Sequence, residues 1–305
     1  MKRVVILFCF LVYTLLSPLA YSPVRAELES PFSQINTYQI YYNTPTDEIL
    51  ENMKDYDLVI VEPHEFTVDQ IQQLKDSGTM VLGYINTMEA DEWNIEFMNQ
   101  LHQDDFYYEV DKRVFYPEWN SYLMDISSPH YQELLQQEIN NQIIQKGFDG
   151  IFLDTVGDID NEFLDQPDVL EAQRAGMVSF LKTVKEKYPQ LPLLQNWGFD
   201  TLKEATAPYV DGILWENFDQ NVIANDEWAQ NTIQTLREMK QEYPLEVFTV
   251  SFSEGEWSKA FAEEKGFVHY YEPESFDEFT WNDFATSPTI SSENGLAQIR
   301  EYQVY

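Results

Sequence analysis

Apolar runs of five to seven residues recur along the chain, each bounded by turn residues and followed by a stretch with helical spacing. They are Tyr38–Tyr42, Asp57–Glu62, Met80–Asn86, Asp149–Asp154, Pro192–Asn196, Asp211–Glu216, Leu245–Ser251 and Phe267–Tyr271. Runs too short for helices and apolar throughout are what strands buried on both faces of a parallel sheet look like. The helices predicted between them are Pro45 to about Met53, Thr67–Ser77, Pro129–Lys146, about Val169–Tyr188, Thr201–Ala207, Asp226–Tyr243 and Trp257–Lys265. Thr67 opens its helix and Gly78 stops it, while Ser128 caps the next with Pro129 in the first helical position. Eight strands over about 234 residues give roughly 29 per βα unit, the spacing of a (β/α)8 barrel. The expected fold is therefore α/β, a single-domain (β/α)8 TIM barrel.

One connection breaks this rhythm. Glu89–Leu123 carries Trp93, Phe97, Phe106, Tyr107, Tyr108, Phe115, Tyr116, Trp119 and Tyr122 and shows no evident strand. Long connections are usually functional, so this one is read as a substrate-facing insertion. Tyr122–Ile126 is read as the lead into the third helix, since a ninth strand would spoil the count.

The ends of the chain change the picture first. Met1-Lys2-Arg3 followed by an apolar stretch from Val4 to Leu16 reads as a secretory leader over residues 1–26, with cleavage before Glu27. The apolar core is 13 residues, short for a membrane span. A retained anchor is the alternative. The barrel domain then occupies residues 27–305, and the expected location is secreted or extracellular. Cys9 is the only cysteine and lies in the leader, so no disulfide is expected.

Charge changes it next. The whole chain has 18 basic and 53 acidic residues, a net charge of −35; without the leader 15 basic residues remain, near −38. Such a field repels nucleic acid and attracts cations. It serves solubility, or it draws in a cationic substrate such as an amine-bearing sugar polymer.

The chemistry sits at strand ends. Gly147-Phe148-Asp149-Gly150-Ile151-Phe152-Leu153-Asp154 and Val210-Asp211-Gly212-Ile213-Leu214-Trp215-Glu216-Asn217 share one grammar: a turn, an apolar run, then a carboxylate. At the carboxyl end of a barrel strand this is where such folds keep their catalytic groups. Asp154 and Glu216 fall on strands four and six, facing one mouth. Two carboxyls across a sugar-sized gap perform glycoside hydrolysis, with retention or inversion according to their separation. Strand order alone leaves that outcome open. Helix capping or pairing with a lysine is the bland role for either.

Tyr41, Tyr42, Glu62, Tyr84, Asn86, Asn196, Trp197 and Glu272 are further polar or aromatic strand ends. Asp125 precedes the third helix, and Trp215 flanks Glu216 with Leu214. These are the expected substrate-binding groups, since aromatic rings stack on sugars and amides or carboxylates read hydroxyls and amines. The four histidines (His64, His102, His130, His269) show no pair at metal-ligand spacing, and phosphate-loop, dinucleotide and serine-hydrolase motifs are absent. No metal and no cofactor is expected. The acidic stretch Asp154–Asp160 lacks the EF-hand pattern and reads as a loop at the mouth.

With these residues in view, the chain resembles glycoside hydrolase family 114, TIM barrels that include endo-α-1,4-polygalactosaminidases and hydrolase domains that trim Pel-type exopolysaccharide. The carriers are Tyr38-Gln39-Ile40-Tyr41-Tyr42, Leu82-Gly83-Tyr84-Ile85-Asn86, Met124-Asp125-Ile126-Ser127-Ser128-Pro129 and the two carboxylate-ending segments, in this order over about residues 36–273. The resemblance implies that Asp154 and Glu216 match the catalytic pair and that Tyr42, Glu62, Tyr84 and Asp125 line the pocket. The chain departs from the family pattern at Glu62, where Asp is usual, and at Asn196-Trp197. The implied substrate is a galactosamine-containing, cationic exopolysaccharide. Separately, a monomer with no nucleic acid partner is expected. Rival readings are a non-catalytic glycan-binding barrel in an export or adhesion system, a glycosidase for a neutral polysaccharide, and a structural surface protein.

Overall fold

The eight runs form eight parallel strands: β1 (Tyr38–Tyr41), β2 (Leu58–Val61), β3 (Met80–Asn86), β4 (Gly150–Asp154), β5 (Leu193–Asn196), β6 (Gly212–Trp215), β7 (Glu246–Ser251) and β8 (Val268–Tyr271). Each pairs with the next in chain order. β8 returns beside β1, where the Tyr38 and Tyr270 rings lie 5.6 Å apart and close the seam through side chains. The result is a nearly closed (β/α)8 barrel in this computed structural model, which describes residues 29–280. The leader expected over residues 1–26, and the chain after residue 280, lie outside the described residues. Among the described residues no helix is long and apolar enough to cross a membrane.

Local sequence starts and stops the outer helices. Thr67 and Gln70 form a reciprocal capping box at the helix Val68–Asp76, and Ser128 caps Pro129–Glu138 by accepting from the Tyr131 amide. That second helix continues as a π-helical turn over Ile139–Ile144. The longest helix, Pro167–Lys187, is preceded by a short one, Asp158–Phe163, that the sequence did not signal.

The strands divide two cores by alternation. Ile40, Ile60, Leu82, Phe152, Leu194, Leu214, Phe248 and Tyr270 fill the barrel, while Val59, Val61, Val81, Ile151, Leu153, Leu193, Ile213, Trp215 and Val247 face the helices. Phe32, fully buried, plugs the barrel from the amino-terminal side. Two strand starts need glycine. A Cβ on Gly150 would meet Leu82 at 2.6 Å and the Pro192 carbonyl at 2.7 Å, and one on Gly212 would meet Leu194 at 2.9 Å and Phe32 at 3.1 Å.

The insertion after β3 corrects the expectation of a strandless loop. Glu89–Asp91 pairs antiparallel with Ser121–Leu123, which pairs with Phe115–Tyr116, and Tyr108–Glu109 with Lys112–Arg113 makes a hairpin. Strands of two or three residues are too short to carry a period-two signal. Ser121–Leu123 belongs to this small sheet, so the barrel keeps eight strands.

Candidate active site

Alternation also decides which side chains reach the mouth. Tyr42, Glu62, Tyr84, Asp154, Asn196, Glu216 and Glu272 each follow an interior residue by two positions, and Asn86 by four, so all carry the inward phase. Among them Asp154, Asn196 and Glu216 form the tightest group. The Asn196 side-chain amide donates to Asp154 Oδ1 at 2.7 Å and to Glu216 Oε1 at 2.8 Å. Between two carboxylates only the NH2 end satisfies both partners, which fixes the amide's orientation. The two bonds, 2.7 plus 2.8 Å, limit the distance between the bonded carboxylate oxygens to about 5.5 Å.

Burial raises the Glu216 carboxyl to about 7, with the nearby Asp154 charge adding to the rise and the Asn196 bond opposing it. Asp154 Oδ1 also accepts from the Thr155 amide at 2.8 Å. The Tyr84 hydroxyl is bonded to Asp154, and Tyr42, packed on Tyr84 with ring centroids 5.1 Å apart, feels both carboxylates. Burial first, then these charges, holds both phenols well above their ordinary range, so they remain donors.

Three successive strand ends share a backbone device. Thr155, Trp197 and Asn217 immediately follow Asp154, Asn196 and Glu216, and all three are left-handed, with φ of 62°, 53° and 61°. Non-glycine residues adopt this conformation at a cost, and such outliers cluster at functional sites. The turn ends each strand directly after its polar residue.

A cleft opens between β3, the insertion and the helix Pro129–Glu138; Tyr84 and Asn86 join it to the mouth, while Asp154 and Glu216 are not part of its lining. Glu62, His64, Asn86, Asp91, Trp93 and Glu138 are among its walls. His64 Nδ1 lies 2.6 Å from Glu62 and Nε2 lies 3.3 Å from Glu138. Burial opposes its charge, yet the two carboxylates prevail and raise it to about 9. Asn86 donates to Asp91 at 3.1 Å and accepts from the Thr155 hydroxyl at 2.7 Å, fixing the wall to the end of β4. Burial lifts Asp91 to about 6 and Glu89 to about 7, and Glu89 shares a hydrogen bond with Asp158, whose carboxyl burial also raises. His64, Glu89, Asp91 and Glu138 gave no strand-end signal in the sequence; Trp93 stood out only as part of the aromatic insertion.

The remaining candidates lie elsewhere. Trp215 is fully buried on the outward phase of β6, within 4.7–6.3 Å of the Trp197, Phe199, Phe218 and Trp228 rings. Trp197 joins this aromatic group, stacking on the half-exposed Trp228 at 6.3 Å. Asp125 Oδ1 accepts from Ser127 and Gln173, tying the head of the third helix to Pro167–Lys187. Glu272 is fully buried and accepts from the Tyr270 hydroxyl, the Glu274 amide and Thr280. Tyr41 faces the outer core and donates to the Thr44 carbonyl at 3.1 Å. The histidines are less scattered than their spacing implied: His102 and His130 stack face to face beside Asp105, outside the mouth.

Comparison with known proteins fits this geometry. A family model described as glycoside-hydrolase family GH114 matches residues 21–280. The glycoside hydrolase domain of PelA from Pseudomonas aeruginosa superposes with a TM-score of 0.64 at 19% identity, covering 80% of this chain and 97% of that one. Ega3 of Aspergillus fumigatus, in complex with galactosamine, gives a TM-score of 0.57 at 16% identity, over 78% of this chain and 91% of that one. At these identities the likeness is one of fold. No curated protein matches the chain.

Proposed function

The chain belongs to glycoside-hydrolase family GH114, and from that premise we propose that it cleaves an amino-sugar polysaccharide by a two-carboxylate mechanism with retention of configuration. The observation that carries the mechanism is the single nitrogen holding both acids. A ceiling near 5.5 Å between the bonded oxygens favours the closer carboxyl spacing of roughly 5–5.5 Å used for retention over the wider one that lets inversion place a water between base and sugar.

Asp154, fixed by Thr155 and Asn196, is the nucleophile. Its carboxylate attacks the anomeric carbon as the glycosidic C–O bond breaks, forming a glycosyl ester. Glu216 is the acid and base. With its carboxyl raised to about 7 it keeps a proton on a large share of the molecules at neutral pH, gives it to the leaving oxygen, and then takes one from the water that cleaves the ester and frees Asp154. Tyr42 and Tyr84, packed on each other beside Asp154, present phenolic hydroxyls at the edge of the sugar site.

The amino-sugar assignment rests on charge. The net charge is −35, the cleft wall holds Glu62, Asp91 and Glu138, and the structurally similar Ega3 is seen with galactosamine. A neutral polysaccharide is the second reading, favoured by His64, whose imidazolium already neutralises part of that wall. The proposed setting is extracellular, with residues 1–26 acting as leader. The deciding experiment incubates the protein with partly de-N-acetylated galactosamine polymer and, separately, with glucosamine polymer and a neutral galactan. Products are weighed by mass spectrometry, and the first-formed anomer is read by NMR. Oligomers from the galactosamine polymer alone, with the substrate's own anomer appearing first, are expected. An inverted first anomer rejects the mechanism, and preference for the galactan rejects the substrate.

A further inference from the structure

The insertion and the helix that follows it meet at a cluster the catalytic reading does not use. His102 precedes the 3-10 turn Gln103–Asp105, and His130 is the second residue of the helix Pro129–Glu138. Their rings stack with centroids 3.8 Å apart and planes within 4°. Beside them Asp105 is fully buried, and every contact it makes orients this corner. Its Oδ2 accepts from the His102 backbone amide and from His130 Nδ1, each at 2.7 Å, and its Oδ1 accepts from the Ser128 hydroxyl at 2.7 Å. One ligand atom from each of His102, Asp105 and His130 falls within 4.8 Å of the others.

We propose that His102 and His130 form a binding site for a borderline divalent transition cation, Zn2+, Ni2+ or Cu2+, with Asp105 as the orienting carboxylate. A carboxylate holding Nδ1–H of a neutral imidazole leaves Nε2 as a free lone pair, the arrangement that supports histidine metal ligands. Asp105 is committed to three donors, so it acts through His130 rather than on the ion. His102 is solvent-exposed, and a ring rotation turns its lone pair from the stacked pose toward an ion about 2.0–2.1 Å from each nitrogen. Imidazole nitrogens select these metals over Ca2+ or Mg2+, which prefer oxygen. Water completes the coordination on the open side. The ion joins the insertion that walls the cleft to the helix behind it, so its effect is on the rigidity of that wall. The site stands whether or not the proposed substrate is right.

The test uses the full chain, stripped with chelator and titrated with ZnSO4 by calorimetry and with NiSO4 by absorbance, alongside thermal unfolding. One ion per chain and a rise in Tm are expected. His102→Ala, a change at an exposed position, weakens binding at least about tenfold, and Asp105→Asn weakens it about 10–100-fold, the range for loss of an orienting carboxylate. Asp104→Asn, an exposed neighbour, leaves binding unchanged. Equal binding by wild type and His102→Ala, an equal loss in Asp104→Asn, or no saturable binding overturns the proposal.

Discussion

Asp154 and Glu216 are held by the same nitrogen, Asn196 Nδ2, through bonds of 2.7 and 2.8 Å. The relationship makes Asn196 more than a sugar contact: it sets the gap between the two acids and opposes the rise of the Glu216 carboxyl. Asn196→Ala is expected to lower kcat/KM on the order of a hundredfold, the scale for loss of one preorganised donor. Because the bond lowers the Glu216 value, removing it moves the alkaline limb of the residual activity to higher pH. Asn196→Asp is worse, since a third carboxylate faces the pair. An unchanged pH profile in Asn196→Ala, measured by reducing-end release, contradicts this role.

The two acids differ in how they fail. Glu216→Gln and Asp154→Asn each lower turnover at least about a hundredfold with Tm near wild type. Asp154→Ala leaves space beside the anomeric carbon, so added azide restores cleavage and yields a glycosyl azide of inverted configuration. Azide restoring Glu216→Ala with inversion, and not Asp154→Ala, exchanges the roles.

Much of this was legible beforehand, for a physical reason. Parallel strands buried on both faces print continuous apolar runs, and a period of two then fixes phase, so Asp154 and Glu216 could be placed on the mouth from spacing alone. The same count, carried one step further, separates Glu216 from Trp215, which the outward phase delivers to the helix layer. Asp125 lay in no strand, and no phase argument applied to it; its partners Ser127 and Gln173 follow from helix packing. The cleft walls were illegible because Asp91 and Trp93 come from an insertion whose strands are too short for periodicity, and His64 from a 3-10 turn. Asn196 was visible as a strand end. Its bridging role depends on distances that no spacing encodes.

Substrate charge is testable through salt. If Glu62, Asp91 and Glu138 help capture ammonium groups, KM for the amine-bearing polymer rises severalfold between about 10 and 150 mM NaCl, over which the screening length falls from roughly 30 to 8 Å. A fully N-acetylated version of the polymer shows no such dependence. Equal salt response for both forms removes electrostatic capture from the account.

Stability has a direction in pH. Glu89 and Glu216 stand at about 7 against an ordinary 4.5, and Asp91 at about 6 against 3.8. In each case the folded chain holds the proton more tightly than the unfolded chain, so the stabilisation present in acid is lost as pH rises through these values. His64, raised to about 9 from 6.5, loses its contribution between those limits. His269, lowered to about 3, acts the other way but only below 6.5. The three carboxyls therefore lose their contribution below about pH 7, partly against the opposing gain from His269, while from pH 7 to 9 His64 acts alone among these groups and Tm is expected to fall. His64→Gln flattens the fall above pH 7, and Glu89→Gln only the part below it. A Tm that climbs from pH 7 to 9 contradicts an imidazolium at His64 held by Glu62 and Glu138.

Asn217 offers a test of the backbone behind the chemistry. It follows Glu216 at φ 61°, is exposed, and ends β6 as Thr155 and Trp197 end β4 and β5. Asparagine and glycine accept left-handed backbone readily; a β-branched side chain does so only at a cost, which at Thr155 is offset by hydroxyl bonds that valine lacks. Asn217→Gly should therefore keep both stability and turnover. Asn217→Val should cost about 1–2 kcal/mol, or roughly 2–4 °C in Tm per kcal/mol. It should also slow turnover, because the backbone relaxes by rotating the residue that positions the Glu216 carboxyl. If valine lowers Tm without touching kcat, the left-handed turn serves only to end the strand. If it changes neither, the turn carries no strain, and the aim of Glu216 is set by Asn196 alone.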